Sequence, residues 1–295
     1  MTETTVTAAI TQGQTTASTR AFKRVPWLGL VFVGSFLFLV VFGYWIAPYD
    51  FDHWEMANIT QPPAWVEGGG SAHILGTDPL GRDVLSRLIH GSRYSLAIAV
   101  ACIAVYGTIG VIMGLLSGFF GGKTDMVIMR LCDLWMSMPA IILAIMLVSI
   151  LGPSAVTIVI VVGISGWPGY ARIVRGECLS IKQNDYIRLA RVAGCSNFRI
   201  MFSHIFPNLA NTLIVMVTLN IGQMIILTAT LSFLGLGTQP PSPDWGLMLN
   251  EGRQYITYAW WLVVFPALAI LIAVLGFNLV GDWLREILDP KQRLR

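Results

Sequence analysis

The residue types most often used in metal and redox chemistry are sparse in this sequence and irregularly spaced. His53, His73 and His90 fall in one segment without a repeated interval, and His204 lies far from them. The four cysteines include no Cys-x-x-Cys pair, the spacing typical of zinc and iron–sulfur sites. The methionines between residues 126 and 146 are interpreted as adaptable packing rather than a soft-metal pathway. The sequence therefore predicts no metal and no other cofactor bound by this chain.

One charged pair is a candidate for proton chemistry. Arg130 and Asp133 stand three positions apart, and an uncharged stretch follows them. Within a membrane such a pair is a functional candidate, and a proton relay would indicate an ion-coupled carrier. We favour an ion pair at a helix end, because the middle of the membrane holds no other ionisable residue. The sequence has no Gly-x-x-x-x-Gly-Lys-Ser/Thr motif, so energy from ATP has to come from a partner protein.

The composition of the chain indicates the kind of fold in which these residues lie. Of 295 residues, 55% are hydrophobic and 12% are charged, whereas soluble domains are about 25% charged. The mean hydropathy is +0.68. These values exclude an ordinary soluble enzyme, a disordered protein and a small secreted domain held by disulfides. A net charge of +3 is too small and too dispersed for a nucleic-acid-binding protein. The chain is therefore predicted to be an integral membrane protein.

Uncharged runs of about 20 residues, enough to cross about 30 Å of hydrocarbon, predict an all-α fold with six transmembrane helices. The first, residues 26–48, is interpreted as a retained helix rather than a signal peptide, because it lacks a small-residue cleavage site. Five more helices form a core over residues 94–281, and Gly152-Pro153-Ser154 separates the third span from the fourth. Residues 1–25, which begin with a disordered stretch, and residues 282–295 are predicted to be cytoplasmic tails.

The distribution of basic residues predicts that both termini are cytoplasmic. Of 19 Lys and Arg residues, only Arg82, Arg87, Arg93 and Arg253 fall in segments that this orientation places outside. The longer of these outer segments covers residues 49–93. Apolar residues at helical spacing near its end predict an amphipathic helix that lies on the membrane surface before the second span.

The loop over residues 176–205 carries the most specific pattern. Asn184 or Asp185 can cap a short helix, and Gly194 occupies the position where a left-handed residue would end it. Ser196 can then cap a second helix that continues into the next span. A plain solvated connection between two spans is the alternative, and a DNA-binding helix-turn-helix is disfavoured because the segment is clamped between spans. The residues singled out here are Asp185, Arg188, Ala190, Ala193, Gly194, Phe206 and Pro207.

This loop resembles the EAA motif of ATP-binding-cassette importer permeases. Ala190, Gly194 and Pro207 match the last Ala, the Gly and the final Pro of that motif. Arg188 stands in place of the Glu, and Phe206 in place of the usual Leu. A missing Glu is also typical of dipeptide permeases, which the sequence resembles most.

Two outer stretches resemble signatures of the C-type permeases of dipeptide, oligopeptide and nickel importers. The first contains Gly76, Thr77, Asp78, Gly81, Arg82 and Asp83, and the second contains Pro240, Pro241 and Trp245. Similar matches occur at residues 46–49 and 278–290, so the resemblance covers about residues 21–295.

The resemblance implies a type I ABC importer permease fold in the cell inner membrane, with residues 49–93 periplasmic. It implies a subunit without its own ATPase site that forms half of a pore with a homologous second permease. Two ATPase subunits, which hold ATP and magnesium, would bind the coupling loop, and a periplasmic or surface substrate-binding protein would deliver short peptides. The alternatives left open are nickel chelates, glutathione or oligosaccharides as substrates, and a stand-alone ion-coupled carrier or channel.

Overall fold

The computed structural model describes residues 25–288, so the predictions for residues 1–24 and 289–295 lie outside it. Within the described residues the regular elements are helices, and two isolated β-bridges, Trp54–Arg82 and Thr77–Asp83, are the only extended pairings. The main helices in chain order are α1 Trp27–Ile46, α2 Val84–Phe120, α3 Gly122–Met136, α4 Ala140–Leu151, α5 Ala155–Ile181, α6 Asp185–Val192, α7 Asn197–Phe233, α8 Trp245–Gly252 and α9 Trp261–Leu288.

The described helices provide five candidate membrane spans, or six if one bent pair is counted as a single span. The helices α1, α2, α5, α7 and α9 are long and apolar enough to cross a membrane, and the pair α3 and α4 forms a sixth unit bent by 84°. The bend falls at Pro139, which lacks an N–H and disfavours helical geometry in the residue before it. The predicted break at residues 152–154 is confirmed, with Gly152 at φ +81° and the Ser154 hydroxyl accepting the Thr157 N–H at 3.0 Å.

The predicted amphipathic surface helix is wrong. Residues 84–93 are the first turns of α2, a continuous helix of 37 residues, about 55 Å long at 1.5 Å per residue. Val84, Arg87 and Ile89 are buried in the protein rather than placed on a membrane surface. Hydrophobic periodicity shows only that one side of a helix is covered, and here Trp245 and Trp261 provide part of that cover.

Glycines allow α2 and α5 to pack closely in a parallel arrangement. A Cβ on Gly110 would lie 2.4 Å from the Cβ of Tyr170, and one on Gly114 would lie 2.6 Å from the carbonyl oxygen of Ala171. Gly118 approaches Cys178 in the same way, at 2.8 Å. Small residues spaced by four let helix backbones approach each other in membranes.

The polar segments collect at the two ends of this bundle. Residues 47–83 and 234–260, here called the signature lobe, lie at the end where α1 stops and α2 begins. Residues 182–196, here called the Gly194 loop, lie at the opposite end, because α2 and α5 run parallel away from the lobe.

Candidate functional site

The Gly194 loop has the predicted helix, turn and second helix. Helix α6 ends in a Schellman motif, in which the Cys195 N–H donates to the Ala190 carbonyl at 3.1 Å and the Gly194 N–H donates to the Arg191 carbonyl at 3.0 Å. Gly194 has φ +75°, a backbone conformation that favours glycine. The Ser196 hydroxyl then accepts the Arg199 N–H at 3.3 Å and starts α7.

One buried side chain anchors α6 to the bundle. Ile187 is 1% exposed and belongs to an apolar cluster that includes Phe119 of α2, Val174 of α5 and Ile200 of α7. The Lys182 ammonium donates to the carbonyl oxygen of Phe119 at 2.6 Å. Ile187 therefore connects α6 to α2, α5 and α7.

The same end of the bundle is tied together by an ion pair that the sequence interpretation missed. Arg175 of α5 donates to both carboxylate oxygens of Asp125 in α3, at 2.5 and 2.6 Å. The Ser117 hydroxyl of α2 donates to the same carboxylate at 2.5 Å. Three helices thus meet at one carboxylate beside the Gly194 loop.

The outward side of α6 is apolar although it faces solvent. Leu189 is 67% exposed and Val192 is 86% exposed. Asp185 and Arg188 flank them as an exposed ion pair with a 3.5 Å separation. Ala190 is half-buried, and Ala193 is exposed. Apolar side chains framed by charges at the surface are typical of a protein-docking surface.

Phe206 and Pro207 lie in α7, just after a stretch of π-helix at Ile200–Ile205. Pro207 cannot donate a backbone hydrogen bond to the preceding turn, which accounts for a local departure from α-helical bonding. Both residues are exposed, as is Phe198 at 69%. Phe198 and Phe206 line an apolar cavity of about 890 Å³ whose opposite wall is formed by α2.

The residues of the first outer signature determine the conformation of the signature lobe. Gly76 and Gly81 have φ +82° and +76°, and a Cβ on Gly81 would lie 2.1 Å from the carbonyl oxygen of Glu55. Thr77 accepts the Gln61 N–H on its hydroxyl at 2.8 Å, and its carbonyl accepts the indole N–H of Trp261 at 3.1 Å. These residues hold the loop against the helix ends.

A buried network of four charges joins the lobe to α2 and α8. The Asp78 Oδ2 atom accepts from Arg82 Nε at 2.6 Å and from Arg87 Nη1 at 2.7 Å. Glu251 Oε2 accepts from the same two guanidinium groups at 3.0 and 2.8 Å. Arg87 is 1% exposed and Asp78 3%. Glu251 was not singled out from the sequence, because nothing in its local spacing connects it with residues more than 160 positions earlier.

The second signature is hydrogen-bonded to α2, which also carries part of the buried charge network. The indole N–H of Trp245 donates to the Leu88 carbonyl at 3.0 Å, and Pro240 and Pro241 are joined by a cis peptide bond in the loop before it. Asp83 caps α2 by accepting the Ser86 N–H at 2.7 Å. The structure thus brings both outer signatures together.

The lobe also accounts for one of the histidines. The buried His73 Nδ1 lies 3.0 Å from Asp83 Oδ1, so this ring contributes to the packing of the lobe.

The predicted pairing of Arg130 with Asp133 is wrong. Asp133 instead pairs with Arg172 of α5, which donates from Nη2 to Oδ1 at 2.5 Å. Packing between α3 and α5 brings these residues together from 39 positions apart, which spacing within α3 could not indicate. The Arg172 and Asp133 side chains are 43% and 53% exposed.

Because the resemblance to importer permeases implies transport, we expect Asp133→Asn to leave that transport nearly unchanged. An exposed ion pair contributes about 0–1 kcal/mol, so its loss has little effect on folding. Substrate uptake by cells that express the variant at normal levels would measure this. Abolished uptake would instead support a proton relay through Asp133.

Comparison with known proteins identifies the family. Residues 110–294 match the family described as binding-protein-dependent transport system inner membrane component. The chain is 44% identical over 263 residues to the di/tripeptide transport system permease of Pseudomonas aeruginosa, covering 89% of this chain and 87% of that protein. It is 46% identical to the dipeptide transport system permease of Escherichia coli K12, over 90% of this chain and 88% of the relative.

Two further comparisons extend the picture. The glutathione transport system permease of Pectobacterium atrosepticum is 44% identical, over 86% of this chain and 84% of that protein. A solved structure of the inward-facing MetNI methionine ABC transporter shares the fold, with a TM-score of 0.56 and 18% identity over 68% of this chain and 96% of that one. The chain therefore belongs to the inner-membrane permease family of binding-protein-dependent ABC importers.

Proposed function

We propose that this chain is the permease subunit of an ATP-driven importer of short peptides and forms half of its pore. The observation that carries this proposal is the sequence identity of 44–46% to di- and tripeptide permeases over about nine-tenths of the chain. A homologous second permease would complete the pore. A periplasmic or surface substrate-binding protein would deliver the peptide to the signature lobe.

In this proposal the Gly194 loop couples the pore to two ATPase subunits. Its exposed residues Leu189 and Val192 would enter an apolar groove on an ATPase, and Ile187 would transmit the movement to α2, α5 and α7. ATP and magnesium would be bound by the partner subunits, and this chain would form part of the path that the substrate takes through the membrane. The pore switches between inward-facing and outward-facing states as the ATPase pair closes.

A reconstituted complex tests the proposal. We expect proteoliposomes that contain both permeases, the ATPases and the binding protein to take up radiolabelled dialanine only when ATP is enclosed with the ATPases. Uptake by this chain without ATPases would instead indicate a stand-alone carrier or channel.

Glutathione is the second candidate substrate, and the glutathione permease relative favours it. Competition decides between the two substrates. An excess of unlabelled glutathione should leave dipeptide uptake unchanged if short peptides are the substrate. Loss of uptake under glutathione, but not under unrelated dipeptides, would reverse the assignment.

The orientation is tested by thiol labelling. Ser71 is exposed in the signature lobe, and the basic-residue distribution predicts that this lobe lies outside. In a Cys195→Ser background, a Ser71→Cys chain should react with a membrane-impermeant maleimide added to intact spheroplasts. Reaction only in inverted vesicles would place the lobe, and not the Gly194 loop, in the cytoplasm.

A further inference from the structure

A cavity of about 340 Å³ lies between α1 and α2 at the lobe end of the bundle. Its polar lining consists of Asp50, His90 and Arg93, and its aromatic lining includes Tyr44 and Tyr94. It belongs neither to the Gly194 loop nor to the buried charge network. The position and chemistry of this cavity indicate its occupant.

The cavity lies at the level where the membrane meets water. Helix α1 has 20 residues and ends at Ile46, so its length of about 30 Å matches the hydrocarbon thickness. Tyr44 lies in its last turn, and Asp50 follows in the polar segment. Aromatic residues at a helix end are typical of the headgroup region.

The lining changes from charged to apolar towards the middle of α1 and α2. His90, Arg93, Tyr94 and Ala97 follow each other at helical spacing on one side of α2. Leu39, one or more turns deeper in α1, completes the apolar wall. A ligand with a charged head and an apolar tail would fit this lining with its head towards the lobe and its tail towards the middle of the membrane. Membrane lipids have this orientation.

The two formal charges in the cavity do not neutralise each other. Asp50 and Arg93 form no salt bridge with any residue between 25 and 288. Both residues are exposed, so their charged groups are accessible to a ligand. An anion beside the guanidinium and a cation beside the carboxylate could each form a charge-assisted hydrogen bond. A phosphate diester with a primary ammonium carries both charges within one small headgroup.

We propose that this cavity binds phosphatidylethanolamine. Arg93 and His90 hold its phosphate, Asp50 accepts hydrogen bonds from its ammonium, and the first acyl carbons lie against Leu39 and Ala97. A primary ammonium fits the Asp50 carboxylate because its N–H groups can donate hydrogen bonds to it. The quaternary ammonium of phosphatidylcholine has no N–H group and cannot do so.

Native mass spectrometry of the full-length chain in detergent tests the site, with dioleoyl phosphatidylethanolamine as the probe. We expect Arg93→Gln and Asp50→Asn each to weaken binding by about tenfold, since each removes a charge-assisted hydrogen bond. Arg253→Gln and Glu67→Gln, which alter exposed charges of the lobe outside the cavity lining, should bind like the unaltered chain. Arg93→Lys keeps the charge and should retain most of the binding, which separates a lost contact from misfolding.

Lipid selectivity provides the second readout. The unaltered chain should prefer phosphatidylethanolamine over phosphatidylglycerol and phosphatidylcholine with the same acyl chains. Asp50→Asn should abolish that preference, whereas Arg93→Gln should weaken the binding of all three lipids. Equal binding of the three lipids by the unaltered chain, unchanged binding by both variants, or equally strong binding of soluble phosphoethanolamine would each overturn the proposal.

Discussion

A Gly194→Val subunit should reach the membrane in normal amounts and yet support little uptake. Gly194 has φ +75° in the Schellman turn that ends α6. A side chain in this region costs about 1–2 kcal/mol through a clash of its Cβ with the backbone, and β-branched residues fare worst. Apart from the adjacent residues of the chain, no atom lies within 4 Å of a Cβ at this position. The effect would therefore come from the backbone, which would reorient α6 and its exposed Leu189 and Val192.

The measurement is ATP hydrolysis and dipeptide uptake by the same reconstituted complex. We expect ATPase subunits that bind weakly or hydrolyse ATP without transport. Gly34→Val is the matched control, because Gly34 lies in α1 with open space around it and without a positive φ. Normal coupling in the Gly194→Val complex would show that this loop does not transmit the movement.

Asp78→Asn should destabilise the chain strongly, by about 3–5 kcal/mol, as is typical when one partner is removed from a buried ion-pair network. Asp78 accepts two backbone N–H groups, from Leu80 and Arg82, on one carboxylate oxygen and two guanidinium groups on the other. Either orientation of the Asn amide would place its NH₂ against donors. Glu251 alone would then face both arginines.

The unfolding temperature of the purified chain in detergent, followed by tryptophan fluorescence, measures this loss. Asp52→Asn removes an exposed carboxylate from the same lobe and should leave the unfolding temperature unchanged. If Asp78→Asn unfolded like the unaltered chain, the network would not be what fastens the lobe to α2 and α8.

The two ends of the molecule differ in how their sequence motifs are used. In the signature lobe, Asp78, Arg82 and Trp245 are buried and bonded to their neighbours, so they maintain the shape of the lobe. In the Gly194 loop, Leu189 and Val192 are exposed, and the buried Ile187 anchors the helix that carries them. We therefore expect substitutions in the lobe to affect folding first, and substitutions on the exposed side of α6 to affect coupling first.

Much of this protein follows from its sequence alone. The low charge and the long uncharged runs predict a helical membrane protein, because a backbone in hydrocarbon has to satisfy its hydrogen bonds within helices. The structure contains five apolar helices long enough to span, or six spans with the bent pair. The turn at Gly194 was also predictable, since a left-handed residue followed by the Ser196 cap is a local pattern. The outer signatures and the EAA-like loop sufficed to indicate the family, which the comparisons confirm.

Contacts between distant residues required the tertiary structure. Arg172 replaces Arg130 as the partner of Asp133, and Glu251 joins Arg82 and Arg87, because helix packing brings these side chains together over long separations. The continuity of α2 through residues 84–93 was likewise not predictable, since apolar periodicity has the same form whether lipid or protein covers it. A single sequence specifies local turns and hydrophobic lengths, whereas ion-pair partners depend on how the helices pack.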